Sequence, residues 1–297
     1  MSQMRDIILK IMLKKLAFFF IALLLTSSFS HRGETITLEQ AIKANQEQEV
    51  QKLIQLGENP NFWCHWEEMG LPVEGPILLW AIEKENLNLV QSLLEKGANP
   101  NSKNKHGTSA LIKAAYRRNL ELVQLLLKKG AHLKASNRDG TTALMAAAQA
   151  GSFELVVFFL KEGLDPKITN TNGLNTLHFA AGSHNLELVK LLILKGVSVQ
   201  AKTRTGASLL AFAAGSTNSD MLPFFLQQGL DPHEPFDEGI TLLMLAAGFG
   251  RIENVKLLLE KGVDHEAKDQ AGLTARDYAE AAGHPEIVAL LKTYHSP

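Results

Sequence analysis

The stretch from Gly107 to Gly130 reads GTSALIKAAYRRNLELVQLLLKKG. Apolar residues recur at helical spacing in each half of it: Leu111, Ala114 and Ala115 in the first, then Leu122, Val123, Leu126 and Leu127 in the second. Such spacing predicts two short amphipathic helices, broken near Arg118-Asn119. Alanine in the first helix lets a neighbouring helix approach closely, whereas the second helix carries the bulky side chains.

The same pattern returns every 33 residues along most of the chain. Alanine occupies positions 81, 114, 147, 180, 213, 246 and 279, and glycine keeps the same interval at 97, 130, 163, 196, 229 and 262. A fixed period of this length indicates stacked supersecondary units whose shared core runs through the whole stack. We therefore expect one continuous solenoid.

A short motif inside the period identifies the type of repeat. Asn175 to Ala181 reads NTLHFAA, and Thr142 to Ala148 reads TALMAAA. Both are similar to the Thr-Pro-Leu-His-x-Ala-Ala string of ankyrin repeats, and the chain resembles that family over nearly all of residues 34–295. The resemblance implies an all-α ankyrin-repeat solenoid of about eight 33-residue helix–loop–helix units joined by hairpin loops.

The period also predicts the domain boundaries. We expect a signal peptide at 1–30 and an ankyrin-repeat domain at 31–297, with a polar cap at each end. The predicted segments are 34–61 (N-terminal cap), 62–72 (aromatic insertion), 73–105, 106–138, 139–171, 172–204, 205–237, 238–270 and 271–295 (C-terminal cap).

The first 30 residues have the order of a secretory signal. Basic residues precede the apolar run Leu16 to Leu25, and the small residues Ser28 and Ser30 follow it. This order predicts processing after Ser30, with Met12 as an alternative start, and a protein in the periplasm or secreted. The alternative is that the segment is retained as an N-terminal anchor.

Charge and composition exclude several classes of function. Residues 1–30 contain four basic residues and one acidic residue, so the remainder has 26 basic against 30 acidic residues and a net charge of −4. That balance argues against nucleic-acid binding. Cys64 is the only cysteine, so no intramolecular disulfide can form. The chain lacks the common nucleophile, zinc-protease and phosphate-loop motifs, and we expect no enzyme, no cofactor and no metal site.

One candidate partner-binding surface is basic. The resemblance implies that hairpin tips and first helices form a concave face that meets a partner, and on it we place Lys84, Lys105, His106, Tyr116, Arg117 and Arg138. Residues 84–138 hold eleven basic and three acidic residues, whereas residues 231–286 hold twelve acidic and five basic ones. The excess favours a protein partner with an acidic patch. The alternative is an ordinary distribution of solvated charge.

Two further candidate sites each have a structural alternative. Gly182, Gly215 and Gly248, the last followed by Phe249, occupy equivalent positions on three first helices and could form a trough for a partner's backbone. Alternatively, the glycines merely end short helices. Trp63 and Trp66 lie in the aromatic insertion and suit a recognition loop, or else packing over the N-terminal cap.

These observations favour an exported scaffold, monomeric and not inserted in a membrane after processing, that binds a protein through its concave face and supports an envelope process. An immunity protein that neutralises a toxin is the alternative, and a secreted host-directed effector is another. The resemblance implies a structural role for His178, connecting adjacent hairpins, rather than a catalytic one.

Overall fold

The computed structural model describes residues 36–68, 70–234 and 236–294. The predicted signal peptide, its processing site after Ser30 and the alternative start Met12 lie outside the described residues. Within the described part, sixteen α-helices follow one another as eight pairs.

The bounds of the pairs follow the 33-residue period closely. The pairs are α1 (Leu38–Lys43) with α2 (Glu47–Gln55), α3 (Ile77–Glu83) with α4 (Leu87–Glu95), α5 (Ala110–Tyr116) with α6 (Leu120–Lys128), α7 (Ala143–Gln149) with α8 (Phe153–Lys161), α9 (Thr176–Gly182) with α10 (Leu186–Leu194), α11 (Leu209–Ala214) with α12 (Met221–Gln227), α13 (Leu242–Gly248) with α14 (Ile252–Glu260), and α15 (Ala275–Ala282) with α16 (Pro285–Thr293).

Local sequence explains where the first helix of a pair begins. In six of the eight pairs its N-cap is a short polar residue whose side chain accepts a backbone N–H of the first turn, as Ser109 does from Ile112 and Thr142 from Met145. Pro76 and Ser208, the N-caps in the other two pairs, make no such bond. Such a cap stabilises a helix by about 1 kcal/mol. Helices of six to eight residues need that support, because isolated helices this short are marginal in water.

The core runs continuously between the first and second helices. Buried alanines of the first helices, such as Ala147 and Ala180, face large residues of the second helices, such as Phe159 and Leu192. Neighbouring first helices pack together more closely than neighbouring second helices do. The stack therefore curves toward the first helices, and we call the surface formed by them and by the turn tips the concave face.

Backbone hydrogen bonds connect the tips of successive turns. The N–H of Arg138 donates to the His106 carbonyl at 3.2 Å, and the N–H of Gln270 donates to the Glu238 carbonyl at 2.8 Å. Within a turn, a short side chain holds the bend: Asn104 accepts from the N–H groups of both His106 and Thr108. The turn tips consequently form an ordered edge along the concave face.

The aromatic insertion departs from the expected all-helical fold. Together with the first four residues of the predicted unit 73–105, it forms an antiparallel hairpin, β1 (Trp63–Glu68) with β2 (Leu71–Pro76), in which Trp66 pairs with Val73. Alternation of buried and exposed residues along β1 explains the strand, since Cys64 and Trp66 are buried while Trp63 and His65 are exposed. A 3-10 turn, Asp237–Gly239, is a smaller irregularity.

None of the helices in the described ranges combines the length and the apolar character needed to cross a lipid bilayer.

Candidate partner-binding face

Three basic residues at the N-terminal end of the concave face form ion pairs with carboxylates. Lys105 Nζ lies 3.3 Å from Glu74 Oε1, and Arg117 contacts Glu85 and, at 3.5 Å, Glu83. Lys113 has two carboxylates, Glu68 at 2.5 Å and Glu83 at 2.7 Å. Three of the eleven basic residues in 84–138 are therefore paired with carboxylates, whereas Arg138 and others among the described residues are exposed.

These ion pairs hold the hairpin against the helices. Lys113 has an 11% exposed side chain, so its charge requires partners. Glu68 of β1 supplies one of them, and Glu74 of β2 meets Lys105 on the neighbouring turn. The salt bridge and the hydrogen bond from Lys105 hold the pKa of Glu74 below its usual value, and His65 adds to this. Glu74 consequently remains ionised at neutral pH.

A small depression lies between the hairpin and α5. It measures about 260 Å³ and is lined by Lys105, His106 and Tyr116, among others. The hydroxyl of Tyr116 donates to Gln149 Oε1 at 3.1 Å, and burial, with a smaller contribution from Asp139, raises the pKa of that hydroxyl. The structure thus brings together three of the six predicted basic-site residues around one polar depression.

The other three residues lie apart from that depression. Arg117 pairs with Glu85, and Lys84 Nζ lies 5.9 Å from the centre of the Trp80 ring. Arg138 is exposed at the next turn tip. The six residues therefore do not form one cluster.

The two tryptophans of the insertion differ in exposure. Trp66 is 7% exposed and packs in the core. The prediction that it belongs to a recognition loop is therefore wrong, and the alternative, packing over the N-terminal cap, describes it. Trp63 is 47% exposed and remains available to a partner. Cys64 is buried between them, and burial raises the pKa of its thiol to about 12, so it is a protonated core residue rather than a reactive one.

The expected glycine trough is interrupted by an aromatic ring. A Cβ at Gly215 would lie 2.9 Å from Cδ2 of Phe249, so that ring covers the glycine. Gly248 is bordered by Tyr278, 3.5 Å from the same ideal atom, and only Gly182 of the three has open space around it. The three glycines lie at the ends of α9, α11 and α13, as the structural alternative predicted. A continuous trough for a partner's backbone is therefore absent here.

The structure reveals a row of solvent-facing apolar side chains that the sequence analysis missed. Phe179, Phe212, Leu245 and Tyr278 are half-buried on four successive first helices, at an interval of 33 residues. Phe249, 55% exposed, lies beside them. We call these five residues the apolar row. The signal was present in the sequence, because the position after the family's histidine is variable in repeats and yet aromatic here at 179, 212 and 278.

His178 has a local structural role. Its side chain is fully buried, its Nδ1 accepts the Asn175 backbone N–H at 3.1 Å, and its ring contacts Phe212 edge-on at 5.3 Å. Burial lowers its pKa from 6.5 to about 4, and the Ala201 backbone opposes the shift. Its neutral ring completes the N-cap of α9.

Across the described residues, no group of three or more His, Cys, Asp or Glu side chains could hold a metal ion.

Comparison with known proteins identifies the repeat. The family model described as ankyrin repeats (3 copies) matches residues 78–170, 144–235 and 210–296, which together cover about three quarters of the chain. No curated protein matches the chain.

Proposed function

Because this chain belongs to the ankyrin-repeat family, whose members are typically non-enzymatic interaction modules, we propose that it is a scaffold that binds a partner protein through its concave face. We further propose that it is exported, since residues 1–30 have the order of a signal peptide, and that it supports a process in the cell envelope.

The observation that carries the binding proposal is the apolar row. Protein–protein interfaces have apolar and aromatic centres surrounded by polar rims, and aromatic side chains are enriched at their energetic centres. Here the row lies on the first helices, which form the concave face together with the hydrogen-bonded turn tips. Phe249 packs one side of its ring over Gly215, yet 55% of the residue remains exposed to solvent in the isolated protein.

The proposal is tested by capturing partners from envelope extracts with the full chain. Three baits are compared: wild type, Phe249→Ala on the concave face, and Leu194→Ala at the end of α10. Leu194 is a matched control, because it is 82% exposed and belongs to a second helix. Alanine suits position 249, since Ala150 occupies the equivalent position and is likewise followed by a glycine with positive φ.

We expect wild type and Leu194→Ala to retain the same partner, and Phe249→Ala to lose about tenfold in affinity. The reverse pattern would show that the outer surface binds the partner and would overturn the proposal. Mass spectrometry of the captured protein distinguishes an envelope partner from a toxin, which is the immunity alternative.

A further inference from the structure

The apolar row is long enough for one linear segment of a partner. It crosses four successive first helices, α9, α11, α13 and α15. Packed helix axes lie about 8–10 Å apart, so the row extends over roughly 25–30 Å. The equivalent residues of the earlier units are Trp80, which is buried, Lys113, which is engaged in ion pairs, and Ala146, which is small and buried. Among the described units, this position therefore holds a partly exposed apolar side chain only in the second half of the chain.

Near one end, the row forms the floor of an open depression. The ring of Phe212 lines a space of about 480 Å³ together with turn residues that include Leu174 and Ala207. That volume accommodates a large apolar side chain. The depression is suited to an apolar anchor residue.

At the other end of the row, the carboxylates of Asp269 and Glu238 lie near Tyr278. The Tyr278 hydroxyl donates to Asp269 Oδ2 at 2.8 Å. The pKa of that hydroxyl is raised by burial, then by Asp269, with a further contribution from Glu238 at the adjacent turn tip. The Leu273 N–H and the Tyr278 hydroxyl hold the pKa of Asp269 below its usual value, so the carboxylate is charged at neutral pH.

Asp269 and Glu238 differ in their salt bridges from the carboxylates near the hairpin. Glu68, Glu74 and Glu83 each form a salt bridge with a lysine. In the described part of the chain, the salt bridges of the second half involve other carboxylates, and neither Asp269 nor Glu238 takes part in one. An aromatic ring beside two such carboxylates is a favourable site for a lysine or arginine.

We propose that the apolar row binds a linear segment of a partner that combines apolar anchor residues with a lysine or arginine, the cation lying at Tyr278, Asp269 and Glu238. The inference rests on the proposed concave-face binding and specifies its partner. This partner carries the opposite charge to the one expected from the sequence, which favoured an acidic partner for the first half of the chain.

The test uses a displayed library of random peptides of about 20 residues, long enough to follow the row even as a helix. Peptides selected on the full wild-type chain are synthesised, and their affinities are measured against four variants of equal stability: Phe249→Ala, Leu194→Ala, the double variant Glu238→Asn/Asp269→Asn, and a control double variant Glu253→Gln/Glu260→Gln on α14. Asparagine fits both turn positions, since Asn172 occupies the position two units before Glu238 and Asn170 the position three units before Asp269.

We expect the selected peptides to be apolar and net positive. Their affinity should fall about tenfold with Phe249→Ala and about five- to tenfold with Glu238→Asn/Asp269→Asn, while both controls keep wild-type affinity. The inference would be overturned by selected peptides that are net acidic, by peptides whose affinity is unchanged in Glu238→Asn/Asp269→Asn, or by a library that yields no enriched peptides. Peptides that respond to Leu194→Ala instead of Phe249→Ala would count against concave-face binding itself.

Discussion

Single residues show how the repeat uses one position for different purposes. Position 178 holds histidine, whereas the equivalent positions 145 and 244 hold methionine, and all three side chains are buried. At Met244, the sulfur accepts the Thr241 N–H at 3.4 Å, in place of the imidazole nitrogen. Histidine therefore provides a stronger acceptor for the N-cap, but it also brings a titratable group into the core.

We expect His178 to make stability depend on pH. Above pH 6.5 the ring is neutral in both states and contributes no pH dependence. As the pH falls toward 4, the unfolded chain binds a proton that the folded chain does not, because burial lowers the folded pKa to about 4. This group should remove up to about 3 kcal/mol of unfolding free energy across that range.

Urea unfolding of wild type and His178→Met from pH 7.5 to pH 4 measures this contribution. The variant should lack the part of the acid-dependent loss that belongs to the ring, so the stability difference between the two proteins should shift by up to about 3 kcal/mol in favour of the variant as the pH falls. Parallel curves would contradict the assignment.

At the scale of elements, the sequence was sufficient for the helices and insufficient for the hairpin. The helices follow from a period that every copy reinforces, as at Leu111, Leu144 and Leu177. The insertion occurs once, so no second copy reveals its alternation, and its stability depends on contacts distant in sequence: Glu68 and Lys113 are 45 residues apart. The charge count along residues 84–138 could not reveal the ion pairs of Lys105 and Lys113 for the same reason, because Glu68, Glu74 and Glu83 lie just outside it.

The ion pair with Lys113 should anchor the hairpin. Glu68→Gln removes one of the two carboxylate partners of the largely buried Lys113 and should lower the free energy of unfolding by about 1–2 kcal/mol. Glu67→Gln is the matched control, because it makes the same change at an exposed neighbour on the opposite face of β1. Hydrogen exchange of residues 63–76 and urea unfolding report the effect. Equal losses in the two variants would argue against an anchoring role for Glu68.

For the whole molecule, function and stability are distributed differently along the stack. Each pair of helices packs mainly on its neighbours, so stability is approximately a sum of units and interfaces. The surface chemistry, in contrast, changes midway: ion pairs and the hairpin cover the first half of the concave face, and the apolar row occupies the second. The period predicts the first property, whereas the second depends on the residues that vary between copies.

The free energy of unfolding should be most sensitive to replacement of a side chain by alanine near the middle of the stack. Leu177 is fully buried in α9, with helices packed on both sides, so Leu177→Ala should cost about 2–5 kcal/mol. Tyr294 follows α16 at the end of the described chain and is half-buried. Its hydroxyl donates to the Leu259 carbonyl at 3.0 Å, and its ring meets His265. Tyr294→Ala removes these contacts from a single interface at the end of the stack. Because the last pair can unfold locally, the substitution should lower the unfolding free energy of the central units by about 1 kcal/mol or less. Urea unfolding followed by circular dichroism, with hydrogen exchange resolved by unit, compares the two variants. Comparable losses throughout the chain would show that the stack unfolds as one unit rather than by neighbouring interfaces.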